Sequence, residues 1–522
     1  MDQWQNFEKY FFRDSELGIS VDFNGVGFPE EFFSAMAGKI STAYREMAAL
    51  EAGAIVNGDE NRMVGHYWLR NSTIAPSGEI RDQIDGSIEK ILQFSAGVRC
   101  GRIIGQGGRF ENVLCIGIGG SALGPQLLCE SLCNGDGMDC FFMDNTDPDG
   151  IDIILGKLAG KLGKTIVIVA SKSGSTPEPC NAMIEAMAAY GESGYTFQRH
   201  AVAVTCENSQ LDRQAVEEGW LERFAMWEWV GGRNSVFSAV GLLPAALHGI
   251  SIESLIGGAR RMDELTRMVS AKNPSMMMAL AWYLATSGTG SRDMVVIPYK
   301  DRLLRFTRYL QQIVMESLGK ESDRAGNIVH QGLTVYGNKG STDQHSLVQQ
   351  LRDGLQNFFL TVIDVLKSRD SDSIGVDADG MTSGDYLNGF ALGTMGALAE
   401  NGTKIIHISL DKLSARELGG LIAVFERAVG FYGSMVGINA YNQPGVEAGK
   451  KAATEILRMQ RSMVKLLRKN AGQYLSVQAI ADSIGTESPT TVFKILEHMC
   501  ANDKAIRKMD AKNVVAITYG IE

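Results

Sequence analysis

Two short runs of small and hydroxylated residues hold the clearest chemistry in this 522-residue chain. The first, Gly117-Ile-Gly-Gly120-Ser121-Ala-Leu-Gly124-Pro125, follows the apolar run Val113–Ile116 and opens a helix with Pro near its first turn. Glycines let a backbone approach an anion closely, and a helix N-terminus supplies free N–H groups and a favourable dipole. Alone, this run also fits a dinucleotide fingerprint, with Gly117, Gly119 and Ala122 in the three positions and Asp144 ending the next strand. The second run, Ser171-Lys172-Ser173-Gly174-Ser175-Thr176-Pro177, comes straight after Thr165–Ala170. Its hydroxyls and single Lys suit a phosphate monoester dianion, and a dinucleotide fold does not need them. A helix cap accounts for only one such hydroxyl.

Further positions carry groups able to move protons or hold charge. On a helix over Leu303–Leu318, the residues Leu303, Phe306, Leu310, Ile313 and Val314 form an apolar stripe. Gln312 and Glu316 share a face roughly 140–180° from it. A solvated glutamate is the ordinary outcome, but this helix follows the strand Met294–Pro298, which puts its ends near a cleft. Arg233 follows a strand and two glycines, so its guanidinium stands at a strand end where it could meet developing negative charge. His345, after Ser341-Thr-Asp-Gln344, falls in the first turn of a helix, and a capping-region role reads equally well. Lys450 lies on the helix opened by Gln443-Pro-Gly-Val-Glu447, where a pair with Glu447 is the competing use.

The elements that must position these groups repeat one rhythm: an apolar run, a Gly/Ser/Asp turn, an amphipathic helix. Strands are expected at Val113–Gly117, Cys140–Asp144, Thr165–Ala170, Ala201–Thr205 and Phe224–Val230, then at Met294–Pro298, Leu333–Tyr336, Phe358–Val365 and Lys404–Leu410. That alternation predicts an α/β fold with two doubly wound, mostly parallel sheets, whose ligands sit at the carboxyl ends of strands. Residues 1–95 read as mainly helical, 96–255 and 275–440 as the two sheet domains, and 441–470 as a helix carrying Lys450. Residues 471–522 have the outline of a small winged-helix module, with short helices around Gly485 and a two-stranded ending.

Bulk composition narrows the classes. A formal net charge of −10 argues against a whole-chain nucleic-acid or anionic-membrane binder. No apolar run reaches the roughly 18–20 residues of a membrane span, and the opening MDQWQNFEKYFF lacks a secretory pattern, so the expected location is the cytoplasm. The eight Cys read as free thiols of a reducing compartment. Cys129-x3-Cys133 has no matching pair for zinc, and the seven His show no ligand spacing, so no metal is expected. The tail's basic bias is too slight to favour nucleic acid over packing.

Taken together, the segments resemble the glucose-6-phosphate isomerase family, within the sugar-isomerase (SIS) domain group. The resemblance runs from Glu60-Asn-Arg-Met-Val-Gly-His66 through Cys115–Ser121, Val230-Gly-Gly-Arg233, Met315-Glu316-Ser-Leu-Gly-Lys320 and Asp343-Gln-His345 to Tyr441-Asn-Gln-Pro-Gly-Val-Glu-Ala-Gly-Lys450, in the family's order. It implies exchange between glucose 6-phosphate and fructose 6-phosphate, with no metal or nucleotide cofactor. His345 and Lys450 match the ring-opening residues, Glu316 the base that moves a proton between C2 and C1, and Arg233 the group that steadies the enediolate. Ser121, Ser171, Lys172, Ser173 and Thr176 match the phosphate holders, Gln312 a hydrogen-bonding neighbour of the base, and Gly120 and Gln443 join the substrate-binding set. In the family the His comes from the neighbouring subunit, which implies a homodimer. Asn234 departs from the aromatic residue usual after the Arg, Ser173-Gly174 replaces bulkier residues, and the tail has no counterpart in the common family core. Two other readings use the same loops: an SIS enzyme of amino-sugar or pentose phosphates, and a sugar-phosphate-sensing regulator whose tail binds DNA.

Overall fold

In the computed structural model the described residues are 3–133, 135 and 137–522, less the side chains of Gln3, Val446, Glu447, Ala448 and Lys450. Apolar runs without polar alternation become strands covered on both faces, and Asn112–Ile116, Thr165–Ala170 and Ala201–Cys206 are buried almost throughout. With Asp139–Met143 and Glu222–Met226 they form a five-stranded, all-parallel sheet. In chain order its strands lie 2-1-3-4-5. The order of winding therefore reverses beside the first strand, and the loops after strands one and three part to leave a crevice.

The second sheet repeats the device. Its parallel strands Asp293–Pro298, Val335–Tyr336, Phe358–Val365 and Ile405–Leu410 lie in the order 2-1-3-4. An N-terminal hairpin, Phe11–Asp14 and Ile19–Asp22, then adds antiparallel to Ile405–Leu410. This hairpin departs from the mainly helical reading of residues 1–95. Its turn is set by Asp14, whose carboxylate accepts the Leu17 N–H at 2.7 Å, and by Gly18 at φ +69°. The inner strand's Ile19 and Val21 are fully buried, so tertiary pairing decides the conformation. Two long helices follow, Phe32–Glu51 and Gly78–Arg99.

Residues up to Asn442 form one compact unit, and Gln443–Glu522 a second. The second holds a helix Pro444–Lys469, helices Val477–Ile484 and Pro489–Asn502, and a three-stranded sheet of Leu475–Ser476, Ile506–Met509 and Thr518–Ile521. Met463, Leu467, Ile480, Val492, Leu496 and Tyr519 are its core. The last strand begins only at Thr518, because Val514–Ala516 turns as a short 3-10 segment.

Candidate active site

The first sheet's switch point lies between the two Gly/Ser loops. After Ile116 the chain turns through Gly119 at φ +58° into helix Gly120–Ser131. A Cβ on Gly120 would stand 1.9 Å from the carbonyl oxygen of Gly232, so only glycine lets this turn pack on the segment bearing Arg233. A Cβ on Gly119 would come within 3.2 Å of Gln312 Nε2, which brings the second sheet's helix against the same turn. The dinucleotide reading loses a residue here. Asp144, its ribose-binding candidate, accepts a 2.8 Å hydrogen bond from Gln126.

The Ser171–Thr176 loop is held from within. Ser171 is buried and its Oγ accepts the Gly174 N–H at 3.1 Å, while Thr205 Oγ1 donates to the Ser171 carbonyl at 2.7 Å. Gly174 sits at φ +71°, and a Cβ there would strike the Leu211 nitrogen at 2.3 Å. Ser173 and Ser175 are exposed and linked at 3.0 Å. Thr176 occupies the cap position of helix Pro177–Glu192, yet its hydroxyl makes no capping bond. That leaves a hydroxyl and the first-turn N–H groups open for an anion. Lys172 behaves differently from its neighbours. Its Nζ donates to the carbonyls of Glu228 (3.1 Å) and Val230 (3.3 Å) and lies 3.4 Å from the Glu228 carboxylate, tying the loop to the run that leads into Arg233.

The chemistry-bearing groups converge on these loops. The helix after Asp293–Pro298 is α-helical over Leu304–Leu310 and widens into π turns over Gln311–Glu316, a distortion common at functional sites. Gln312 Nε2 donates to Glu316 Oε2 at 3.0 Å, so the two do share a face. Arg233 Nη2 stands 3.4 Å from Glu316 Oε1, with the guanidinium side chain 3% and the carboxylate side chain 21% exposed. Arg233 also donates to Ser317 Oγ (3.2 Å) and to the carbonyls of Ala440 (3.5 Å) and Asn442 (3.0 Å). Burial pulls its pKa down, and the charges of Glu316 and Glu60 oppose that. Three of its four partners are neutral oxygens, so its charge is fixed in place and only partly balanced by Glu316.

Asn234 takes on a supporting role. Its Nδ2 donates to Glu426 Oε1 at 3.2 Å, and Tyr309 donates to the same oxygen at 3.3 Å. Glu426 pairs with Arg70, which also holds Asp263 at 2.9 Å, and all three are buried. A buried ionic network of this kind is costly to break by removing one partner, so it pins the segment that carries Arg233.

Sequence reasoning passed over Lys320. It is buried, and its Nζ donates at 2.8 Å to the carbonyls of both Glu316 and Ser317. Burial first, then the Arg233 charge, lower its pKa to about 8. Its place four residues after Glu316, at the start of the strand Lys320–Ser322, was the available signal.

Among the described residues, His345 has no hydrogen bond or ion pair to this cluster. It ends a short 3-10 turn, Thr342–His345, and is exposed. Its neighbour Gln344 donates to Phe390 O (3.1 Å) and Thr394 Oγ1 (2.6 Å) on helix Ser383–Ala399. Gln443 belongs to the second unit, and the Lys450 side chain lies outside the described residues. Among the described residues no group of three or more His, Cys, Asp or Glu is placed to hold a metal, and no helix is long and apolar enough to cross a membrane.

Comparison with known proteins agrees with this geometry. The family model for phosphoglucose isomerase matches residues 33–404 and 401–471. A glucose-6-phosphate isomerase of Geotalea daltonii is 51% identical over 506 residues, covering 96% of this chain and 95% of that protein. A glucose-6-phosphate isomerase of Synechococcus sp. (strain JA-3-3Ab) is 51% identical over 509 residues, with the same coverages. The crystal structure of a glucose-6-phosphate isomerase from Chlamydia trachomatis superposes with a TM-score of 0.78 at 26% identity, covering 90% of this chain and 94% of that one. The family model ends at residue 471, yet the two relatives leave uncovered a share of the chain shorter than the tail.

Proposed function

This chain belongs to the phosphoglucose isomerase family, and from that premise we propose how it interconverts glucose 6-phosphate and fructose 6-phosphate. The phosphate sits at the switch point of the first sheet, on the helix N-terminus at Gly120–Ser121 and the hydroxyls of Ser171, Ser173 and Thr176. Lys172 reaches it either directly or by fixing the Glu228–Val230 segment. Binding energy from this non-reacting end orients the sugar over Glu316.

His345 and Lys450 open the ring, and Gln443 contacts the substrate. Glu316 then takes the C2 proton and returns it to C1, with Gln312 holding the carboxylate's other face. Arg233 meets the charge that develops on the enediolate oxygens. One observation carries this reading: a single half-buried carboxylate stands between a fixed guanidinium at 3.4 Å and a carboxamide at 3.0 Å, beside a Gly turn built for an anion. Proton transfer rests on Glu316 and not on a metal-bound water, so dialysis against a chelator leaves turnover unchanged. A dehydrogenase-coupled assay of glucose 6-phosphate formation from fructose 6-phosphate tests the activity. No turnover there, with turnover of an amino-sugar or pentose phosphate, overturns it.

The enzyme works as a cytoplasmic homodimer in which His345 serves the neighbouring subunit's site. Support comes from the exposed placement of His345 and from the apolar surface next to its loop, where Val376, Met381, Tyr386, Phe390 and Leu392 are all exposed. Mixing two inactive proteins, Glu316→Gln and His345→Ala, after dissociation and reassociation restores activity, because one site of each mixed dimer has both groups intact. Failure to restore any activity counts against a shared site.

A further inference from the structure

Behind helix Gly120–Ser131, three cysteines and a histidine come together outside the site described above. Cys129 on that helix faces Cys140 on the edge strand Asp139–Met143, with the sulfurs 3.4 Å apart. His248 Nδ1 lies 2.7 Å from the Met138 carbonyl. A carbonyl can only accept, so that ring nitrogen carries the proton and Nε2 carries the lone pair. Nε2 is buried with no hydrogen-bond partner among the described residues, and the Cys140 charge acts on this ring. Cys140 is partly exposed, while Cys129 and Cys115 are buried.

We propose that Cys129 and Cys140 are a peroxide-responsive dithiol in which Cys140 attacks, His248 is its base and Cys129 resolves.

The electrostatics run the same way. The hydrogen bond from Cys129, followed by His248, pulls the Cys140 pKa down. Interaction with Cys140 is the main cause that raises the His248 pKa. Both shifts describe a thiolate–imidazolium pair. Burial raises Cys115 and so keeps it a bystander thiol. The pairing differs from the Cys129-x3-Cys133 spacing visible in the sequence, because the strand brings Cys140 back beside the helix.

The chemistry balances with hydrogen peroxide as the two-electron oxidant. The Cys140 thiolate attacks one peroxide oxygen, the O–O bond breaks, and the departing hydroxide takes the imidazolium proton to leave as water. The sulfenic acid on Cys140 is then attacked by the Cys129 sulfur. An S–S bond forms, the S–O bond breaks, and hydroxide leaves as water with the Cys129 proton. Two thiols lose two electrons, and one peroxide becomes two waters.

A disulfide spans about 2.05 Å between sulfurs, so the pair must close from 3.4 Å. That draws the helix whose first turn carries Gly120 and Ser121 toward the edge strand. The consequence for activity rests on the isomerase reading: oxidation raises KM about 5-fold, and a reductant reverses it. The cross-link itself does not depend on that reading.

The test uses the reduced full-length protein, titrated with hydrogen peroxide, alkylated and mapped by mass spectrometry. A peptide joining Cys129 to Cys140, two hydrogens lighter than the free thiols, is expected. Brief iodoacetamide labelling at pH 7 should modify Cys140 at least about 10-fold faster than Cys115 or Cys129. Cys129→Ser should let a dimedone-reactive sulfenic acid accumulate on Cys140, and His248→Gln should slow Cys140 labelling about 10-fold with turnover retained. Labelling of Cys140 no faster than of Cys115, or cross-linking of Cys140 only to Cys133, overturns the proposal. A cross-link that forms without any change in KM supports the dithiol and removes the link to the phosphate helix.

Discussion

At the switch point of the first sheet, the loops Gly117–Gly124 and Ser171–Thr176 part around glycines, hydroxyls and helix N-termini. At the matching point of the second sheet, the chain leaves Asp293–Pro298 and Phe358–Val365 through Tyr299-Lys300 and Leu366–Ser368, around a cleft of about 250 Å³. There the lining includes the carboxylates Asp364 and Asp385, and Lys300 spends its ammonium on the Ser368 carbonyl at 2.6 Å. Both crevices follow from strand order alone. Only the first has side chains that suit a phosphate; the second would repel one. The second sheet contributes differently, by sending the helix after its first strand across to place Gln312 and Glu316 against the Gly119 turn. On the proposed roles, the first sheet supplies the phosphate grip and Arg233, and the second supplies the base Glu316.

The sharpest way to break that division is to remove the chemistry and keep the grip. Glu316→Gln should lower turnover about 10³-fold while substrate binding, measured by calorimetry or by protection in a thermal melt, stays within a few-fold of wild type. Loss of binding together with turnover would mean that Glu316 also builds the phosphate site. The next test damages the joint between the sheets. Gly120→Ala puts a Cβ into the Gly232 carbonyl, so the Arg233 segment must move. A stability loss of about 1–3 kcal/mol is expected from overpacking, with kcat/KM down about 10-fold or more. An unchanged kcat/KM would show that Arg233 does not depend on that close approach.

How much of this was legible in the sequence follows from which forces are local. The strands Thr165–Ala170 and Phe358–Val365 coincide with their expected bounds, because apolar β-branched runs between Gly and Ser turns leave little choice. The hairpin Phe11–Asp14 with Ile19–Asp22 was not legible, because its partner Ile405–Leu410 lies almost four hundred residues away. Gln312 and Glu316 kept their shared face even though the helix widens there, since a hydrogen bond between side chains four apart survives the change. Asn234 and Lys320 were hidden for a different reason: what they touch, Glu426 and the Glu316 and Ser317 carbonyls, is fixed by packing and not by motif.

Lys320 supplies a pH test with two opposite signs. Its folded pKa of about 8 lies below the ordinary lysine value of 10.5, chiefly through burial. Between those values the unfolded chain binds more protons than the folded one, so stability contributed by this group rises with pH across that window. Activity should move the other way. Above about pH 8 the ammonium that braces the Glu316 and Ser317 carbonyls loses its charge, and kcat/KM should fall a few-fold. Lys320→Arg, which stays charged, should push that alkaline limb upward in pH. A limb that does not move assigns the titration to another group.

The smallest expected effect is also the control for the comparison. Lys300 occupies the second sheet's switch point as Lys172 occupies the first's, and burial lowers its pKa because its charge sits partly desolvated over Ser368. If strand order by itself made a phosphate site, Lys300→Met should raise KM as Lys172→Met does. The carboxylates around Lys300 argue otherwise: a dianion entering that cleft would face Asp364 and Asp385 at close range, and one half-buried ammonium already engaged with a carbonyl does not offset them. Lys172→Met should therefore raise KM for fructose 6-phosphate about 10-fold, and Lys300→Met should change it less than about 2-fold, with only a small shift in melting temperature. Equal effects at the two lysines would mean that both crevices bind substrate and that the division between grip and chemistry is wrong.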